Sequence, residues 1–423
     1  MDRFSIISLG CAKNLVDSEY LAERLERSGF SMADDGEYII VNTCAFIEDA
    51  AKESIETIVA LGEKKDRGYK KIIVTGCLVE RYRESLIGLL PEVDLFLGRS
   101  YYPVLEKMLK KKGFFLGNGN FYYAFPRKVL TKAPLAYLKI QEGCDNMCTY
   151  CTIPKIRGRL VCRKPDEILD EFRWLIDSGF KEINVIGQDI TGYGKGLGID
   201  LKDLLRKILK VPGEYYIRLL YLNPKGISEG LLDLIASEER IIKYLDIPIQ
   251  HSEDRVLSLM GRGYTKDYLV RLLEKIKKRI PDVTLRTTVI VGFPSEEEEE
   301  FEGLLRFIEE WGFDFLGAFK YSKEEGTAAS KMKGHLAKKV KNERFERVME
   351  TQRGISRKRL AQLVGKKTKV IVEEEGDPYM IGRIITQAPD VDGVAFIKGK
   401  ASKGEIRDCT ITKTLDYDVV VEI

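Results

Sequence analysis

The sequence predicts an α/β chain in three parts: an N-terminal doubly wound parallel sheet, a central open (β/α)6 barrel and a small C-terminal all-β barrel. Three observations carry this. Short apolar runs alternate with helical periodicity over residues 1–127, the alternation repeats six times over 128–355, and over 356–423 it gives way to short β runs between turn residues.

In the first part, a strand at 4–9 ends at Gly10-Cys11 and leads into a helix with Leu21 and Leu25 one turn apart, closed by Gly29. A second strand at 38–41 runs into Asn42-Thr43-Cys44, followed by a helix with Ile55, Ile58 and Val59 on one face. A third at 71–74 runs into Thr75-Gly76-Cys77. Residues 113–126, with Phe114, Phe115, Phe121, Tyr122, Tyr123 and Phe125, read as a linker or hairpin. In the second part, strands are expected at 135–140, 182–186, 215–222, 244–249, 284–291 and 313–321. A barrel of this kind places its chemistry at the C-terminal strand ends. In the third, a basic helical stretch precedes β runs at 369–372, 380–385, 394–397, 410–411 and 419–423, separated by Gly376-Asp377-Pro378, Asp392-Gly393 and Lys403-Gly404.

Composition narrows the function classes. The 423 residues are 44% apolar and 32% charged, with a net charge of only +3, so no global field selects a nucleic acid. The start lacks the apolar core of about 7–15 residues that marks a signal peptide, and no run reaches the roughly 18 apolar residues of a membrane span. A cytoplasmic protein without a membrane partner is expected, in which eight cysteines serve metal or redox chemistry rather than disulfides. With only His251 and His335 present, histidine-centred catalysis has little material.

Cys144, Cys148 and Cys151 form C-x3-C-x2-C directly after the first barrel strand, in a loop on the catalytic face. Three thiolates so spaced can hold an iron–sulfur cluster and leave one iron open to a cofactor; a zinc site, which usually takes four ligands, is the alternative. Cys11, Cys44 and Cys77 stand 33 residues apart, each at the C-terminal end of a parallel strand, where open α/β sheets collect their ligands. A second cluster is one reading and buried structural cysteines the other. Cys162 and Cys409 have no such arrangement. The acidic run 296–300 opens a helix that Ser295 can cap.

With an aromatic before its last cysteine, this motif resembles that of the radical S-adenosylmethionine (SAM) superfamily. Adding Ser8-Leu9-Gly10-Cys11 with Lys13 to Glu19, Val41-Asn42-Thr43-Cys44, Gly76-Cys77-Leu78, Ile153-Pro154 with Arg157-Gly158, Gly187-Gln188-Asp189, residues 248–252, Met260-Gly261-Arg262 and residues 291–294, the chain resembles the methylthiotransferase family over its whole length. Ala12, Ala45, Cys162 and Ser295 depart from that family's usual residues without removing a candidate ligand. The resemblance implies two [4Fe-4S] clusters, on Cys144, Cys148 and Cys151 and on Cys11, Cys44 and Cys77, with SAM as cofactor and an external electron donor. It implies a SAM pocket that uses Tyr150, Gln188, Asp189, Gln250 and Gly292. For His251 a packing role is as good a reading as proton transfer. The third part resembles a TRAM domain.

Family members transfer a methylthio group to an aspartate of small-subunit ribosomal protein twelve or to an adenosine of transfer RNA. The sequence is closer to the protein-modifying branch at Lys13–Glu19, at Gln250-His251 and at residues 388–393. Over 361–423 there are nine Lys and Arg against eleven Asp and Glu, whereas a nucleic acid reader is normally basic. The expected partner is therefore the basic ribosomal protein, bound through acidic positions including Asp390 and Asp392. Nucleic acid enters only in the alternative reading. A non-catalytic cluster or zinc scaffold that binds RNA is the reading from a different class.

Overall fold

A computed structural model describes residues 2–63, 71–117 and 125–423. The first sheet is six-stranded and wholly parallel. Its strands, β1 (Arg3–Ser8), β2 (Ser31–Met32), β3 (Tyr38–Thr43), β4 (Lys71–Gly76), β5 (Leu95–Leu97) and β6 (Gly113–Phe115), lie in the order β2-β1-β3-β4-β5-β6. Every residue of β3 is buried, as a strand covered on both faces requires. The expected linker is corrected in part. Gly113–Phe115 is an edge strand because Phe114 packs 6.0 Å from Phe96 and Phe115 6.1 Å from Tyr101, so these rings belong to the sheet's core. Phe121, Tyr122 and Tyr123 lie outside the described residues.

The second sheet is the open barrel. Strands β7 (Leu135–Lys139), β10 (Glu182–Ile186), β11 (Tyr216–Leu219), β12 (Ile241–Asp246), β13 (Thr284–Val291) and β14 (Phe315–Lys320) are parallel, in the order β14-β13-β12-β11-β10-β7. A small hairpin, β8 (Gln141–Glu142) with β9 (Val161–Cys162), follows the first of them. The fourth barrel strand begins and ends three residues earlier than the expected 244–249. Beyond it the backbone turns inward, and Gln250, at φ +69°, makes an isolated bridge to Val289.

The third part is a closed barrel of β15 (Lys367–Glu374), β16 (Met380–Ile384), β17 (Ala395–Lys398), β18 (Ile406–Thr414) and β19 (Val419–Glu422). The helix Lys338–Ala361 runs without a break through the expected boundary at 355/356.

One hydrophobic cluster contains residues from all three parts: Phe4, Val16 and Leu21 from the first, Tyr137, Tyr244 and Phe315 from the barrel interior, and Ala388 from the tail. The tail is therefore docked rather than tethered. Its loop enters the open barrel, where Arg218 donates to Ile385 O (2.8 Å) and Gln387 O (3.0 Å). Glu182 pairs with Arg218 (2.9 Å) and Arg383 (2.7 Å).

This docking corrects the expected role of Asp392. Its side chain is wholly buried, paired with Arg286 at 2.7 Å and accepting from Tyr244 Oη and Ala388 N, each at 2.8 Å. It is a domain anchor, not an acidic surface contact. Asp390 is exposed but accepts from Tyr137 Oη at 3.3 Å, at the rim of the same interface. A carboxylate beside Asp-Gly turn residues looks solvent-facing in sequence, yet here the barrel opposes it with a partly buried arginine.

Candidate active site

The three N-terminal cysteines are brought together by side chains that stitch the strand ends. Asn14 donates to Leu9 O and Asn42 O (2.8 and 3.0 Å), and Asn42 returns a bond to Asn14 O at 2.9 Å. Thr43 donates to Thr75 O and accepts from Leu78 N, while Ser54 bonds both Cys44 N and Cys44 O. Gly10, at φ +86°, has no room for a side chain: a Cβ there would lie 2.5 Å from Cys44 Cβ. The loops of Cys11 and Cys44 can thus close only over glycine.

The charges around this triplet are uneven. Burial and neighbouring Cys77 push the Cys44 thiol up to about 11. Burial also opposes ionisation of Cys11, but Lys13 and then Arg157 outweigh it and hold that thiol below its usual value. Buried Arg157 donates to Cys77 Sγ at 3.3 Å and to Asn14 Oδ1 at 3.1 Å. Its charge is shared with Asp17 (2.8 Å) and Glu142 (3.3 Å), which also hold Lys139, and Glu142 pairs with Arg99 at 3.0 Å. Arg157, donating to Cys77 Sγ, and Lys13, beside Cys11, set positive charge against these thiols, which fits an anionic, thiolate-held cluster.

The second triplet is linked to the first through neighbouring residues: Arg157 donates to Cys77 Sγ, and Gly158 O accepts from Cys144 N at 3.2 Å. Cys144, Cys148 and Cys151 lie in the loop between β8 and β9, each partly accessible. Thr149 N donates to Met260 O at 3.0 Å, Asn146 N to Cys144 Sγ at 3.4 Å, and Asn146 Nδ2 to Asp189 at 2.6 Å. Arg262 donates to Cys148 Sγ at 3.3 Å. Burial, with Cys148 and Cys144 close by, pushes Cys151 up to about 12. A metal relieves such a thiol by replacing its proton. Among the described residues no three His, Cys, Asp or Glu side chains stand as one metal ion requires.

The expected SAM residues divide. Tyr150 and Gln250 line a cavity of about 120 Å³ at the barrel mouth, with Phe46, Thr288, Ile290 and Tyr321. Tyr150 lies edge-on to Phe293, 6.3 Å between centroids. Asp189 holds Asn146 and Thr191 and so orients the cysteine loop. Gln188 donates to Glu142 at 2.7 Å, tying the second barrel strand to the buried charges. Gly292 donates its N–H to Glu296 Oε1 at 3.1 Å, and a Cβ there would lie 2.3 Å from Lys341 Cγ, so the helix Lys338–Ala361 approaches it closely. Arg157, Arg262 and Lys13 stood only within the matching stretches, and Arg99 and Lys139 carried no sequence signal at all.

Ser295 does not cap the acidic helix. Glu297 does, in a reciprocal box with Glu300, while Glu296 is buried and pairs with Arg344 at 2.5 Å. Cys162 accepts from Gly194 N at 3.3 Å, and Cys409 is buried in the small barrel's core.

His251 is wholly buried. Its Nδ1 accepts from Glu253 N at 3.1 Å, and its Nε2 lies 3.8 Å from Glu296 Oε2. Burial, only partly opposed by Glu300, pushes its pKa down to about 3, so it is neutral at physiological pH and carries no proton to donate as an imidazolium. Because the folded value lies below the unfolded one, its contribution to stability is present above about pH 6.5 and is lost as pH falls toward 3. Between pH 7 and 5 wild type should lose about 2 kcal/mol more unfolding free energy than His251→Gln, read from urea midpoints. Parallel curves would show that the histidine titrates normally.

Comparison with known proteins agrees with this geometry. Residues 138–308 match the radical SAM superfamily, 3–98 the family described as uncharacterized protein family UPF0004, and 364–423 the TRAM domain. The ribosomal protein uS12 methylthiotransferase RimO of Geobacter sulfurreducens is 43% identical over 100% of this chain and 98% of its own length. That of Aquifex aeolicus is 44% identical over 99% and 96%. The chain belongs to the RimO family. Among solved structures, the radical SAM methyltransferase TsrM of Kitasatospora setae aligns with a TM-score of 0.57 at 16% identity, over 76% of this chain and 75% of that one. The cobalamin-dependent radical SAM enzyme OxsB aligns at 0.54 and 14%, over 84% and 56%. These two share the fold. Among the described residues no helix is long and apolar enough to cross a membrane.

Proposed function

We propose that this chain inserts a methylthio group at the β-carbon of an aspartate of ribosomal protein uS12, using SAM and two [4Fe-4S] clusters. Residues 1–127 would hold one cluster on Cys11, Cys44 and Cys77, and residues 128–355 the other on Cys144, Cys148 and Cys151. The observation that carries this reading is the meeting of two thiol triplets at one domain boundary, each with an arginine donating to a cysteine sulfur, in a chain related to RimO proteins end to end.

When bound, the clusters and SAM supply a 5′-deoxyadenosyl radical and a methylated sulfur, chemistry that no side chain can perform on an inert C–H bond. The chain's own residues bind and orient. Tyr150 and Gln250 offer an aromatic face and an amide to the adenosyl part at the barrel mouth. Asp189, through Asn146, fixes the cysteine loop. Arg157 and Arg262 place positive charge against the sulfurs, which favours the electron-rich state once an external donor has delivered its electron.

The test is an anaerobic assay of the reconstituted protein with SAM and reductant, offered uS12 and transfer RNA separately. A gain of one methylthio group on uS12 alone is expected. Modification of transfer RNA with uS12 untouched would establish the alternative.

A further inference from the structure

Most cations between the two triplets already face carboxylates. Arg157 and Lys139 share Asp17 and Glu142, Arg81 pairs with Glu324, and Arg286 with Asp392. Lys13 differs. It stands two residues after Cys11, half-buried, and its ammonium lies 3.4 Å from the centroid of the Tyr221 ring. No carboxylate of the described residues reaches it at ion-pair distance. Asp246 faces the same space but is committed: Oδ2 accepts from Tyr221 N at 2.9 Å, and Oδ1 lies 3.8 Å from Arg286 Nε.

Tyr221 is itself unusual. It lies two residues past the end of the third barrel strand at φ +66°, a conformation that costs a bulky residue energy and persists only where its surroundings enforce it. The bond from its N–H to Asp246 is that enforcement. The result is a ring presented to the lysine as a platform. Tyr221 holds the ammonium through its ring and one side-chain hydrogen bond, and an ammonium has three N–H donors, so others remain to give.

We propose that Lys13 binds the side-chain carboxylate of the target aspartate, with Tyr221 orienting the ammonium; this rests on the uS12 reading above. The carbon to be modified is bonded to that carboxylate and must come close to Cys11. A carboxylate drawn out of water there needs a counter-charge, and Lys13 has donors to give. The reacting carbon of an adenosine bears no neighbouring anion, so the arrangement selects a protein carboxylate over a nucleobase.

The experiment compares wild type, Lys13→Met and Lys13→Arg on uS12 and on uS12 whose target aspartate is replaced by asparagine. Wild type should prefer the aspartate form. Lys13→Met should lose that preference through a KM for the aspartate form raised about 10–100-fold, the scale of one charged hydrogen bond, with Lys13→Arg between the two. Iron and sulfide content and the electron paramagnetic resonance of the Cys11, Cys44 and Cys77 cluster should match wild type. Lys13→Met that keeps the preference overturns the proposal. So does one that loses iron or alters the cluster spectrum while slowing both substrates equally, because Lys13 would then serve the cluster. Failure of wild type itself on uS12 overturns the underlying reading as well, and is recognised by activity on transfer RNA.

Discussion

Replacing Cys144, Cys148 and Cys151 together by alanine should abolish reductive cleavage of SAM and leave about half of the iron if, as proposed, each triplet supplies all the protein ligands of one cluster. The complementary replacement of Cys11, Cys44 and Cys77 should also remove about half of the iron, yet SAM should still be cleaved. The asymmetry follows from the architecture. The loop of Cys144–Cys151 is held by Met260, Asp189 and Arg262, all within the barrel. Its contacts with the first part, Thr152 to Phe46 O and Arg157 to Cys77 Sγ, come after the last of its cysteines. Either triple variant that retains full iron content refutes the ligand assignment, and a Cys11 triplet variant without SAM cleavage shows that the clusters are not independent. Iron and sulfide analysis with quantification of 5′-deoxyadenosine makes both measurements on the same preparations.

Removing the carboxylate of Glu182 should be the most damaging single change to the fold. Glu182 is wholly buried and pairs with two buried arginines, one from the barrel and one from the tail. Glu182→Ala would leave Arg218 and Arg383 without their shared counter-charge, a defect that typically costs about 3–5 kcal/mol. An exposed pair gives the contrast. Asp267 and Arg271, one helical turn apart and both more than 60% exposed, should yield no more than about 0.5 kcal/mol when Asp267 becomes Ala. Urea denaturation measures both. Hydrogen exchange locates the damage, which should appear as lost protection in Lys367–Glu374 and Met380–Ile384 before the rest of the barrel opens. Full protection of those strands in Glu182→Ala would mean that Asp392 and Arg286 alone suffice to dock the tail.

The acidic tail residues teach the same lesson from the other side. Net charge suggested a surface for a basic partner, with Asp390 and Asp392 as contacts. The structure gives Asp392 to Arg286 and Tyr244, so any recognition by the tail uses other residues. Charge counts do not report which charges are already paired.

Much of the molecule was nevertheless readable. The alternation of buried strands with helices located both parallel sheets, because strands covered on two faces must be apolar throughout, as β3 is. The short strands β2, β5 and β6 were missed, since two or three residues carry no periodicity. The six candidate ligand cysteines were legible because a thiol's placement at a strand end or in a tight loop is a local property of the chain. The charges around them were not. Whether Asp17, Glu142 or Asp392 contacts solvent, a partner or a buried arginine depends on side chains from Arg99, Arg157 and Arg286, tens to more than a hundred residues away. The chain's local chemistry thus determined which thiols are candidates to hold metal. Only the packing of the three parts decided which charges are paired and that Lys13 faces the site, because electrostatic partnership in a low-dielectric interior is set by proximity in space and not by position in sequence.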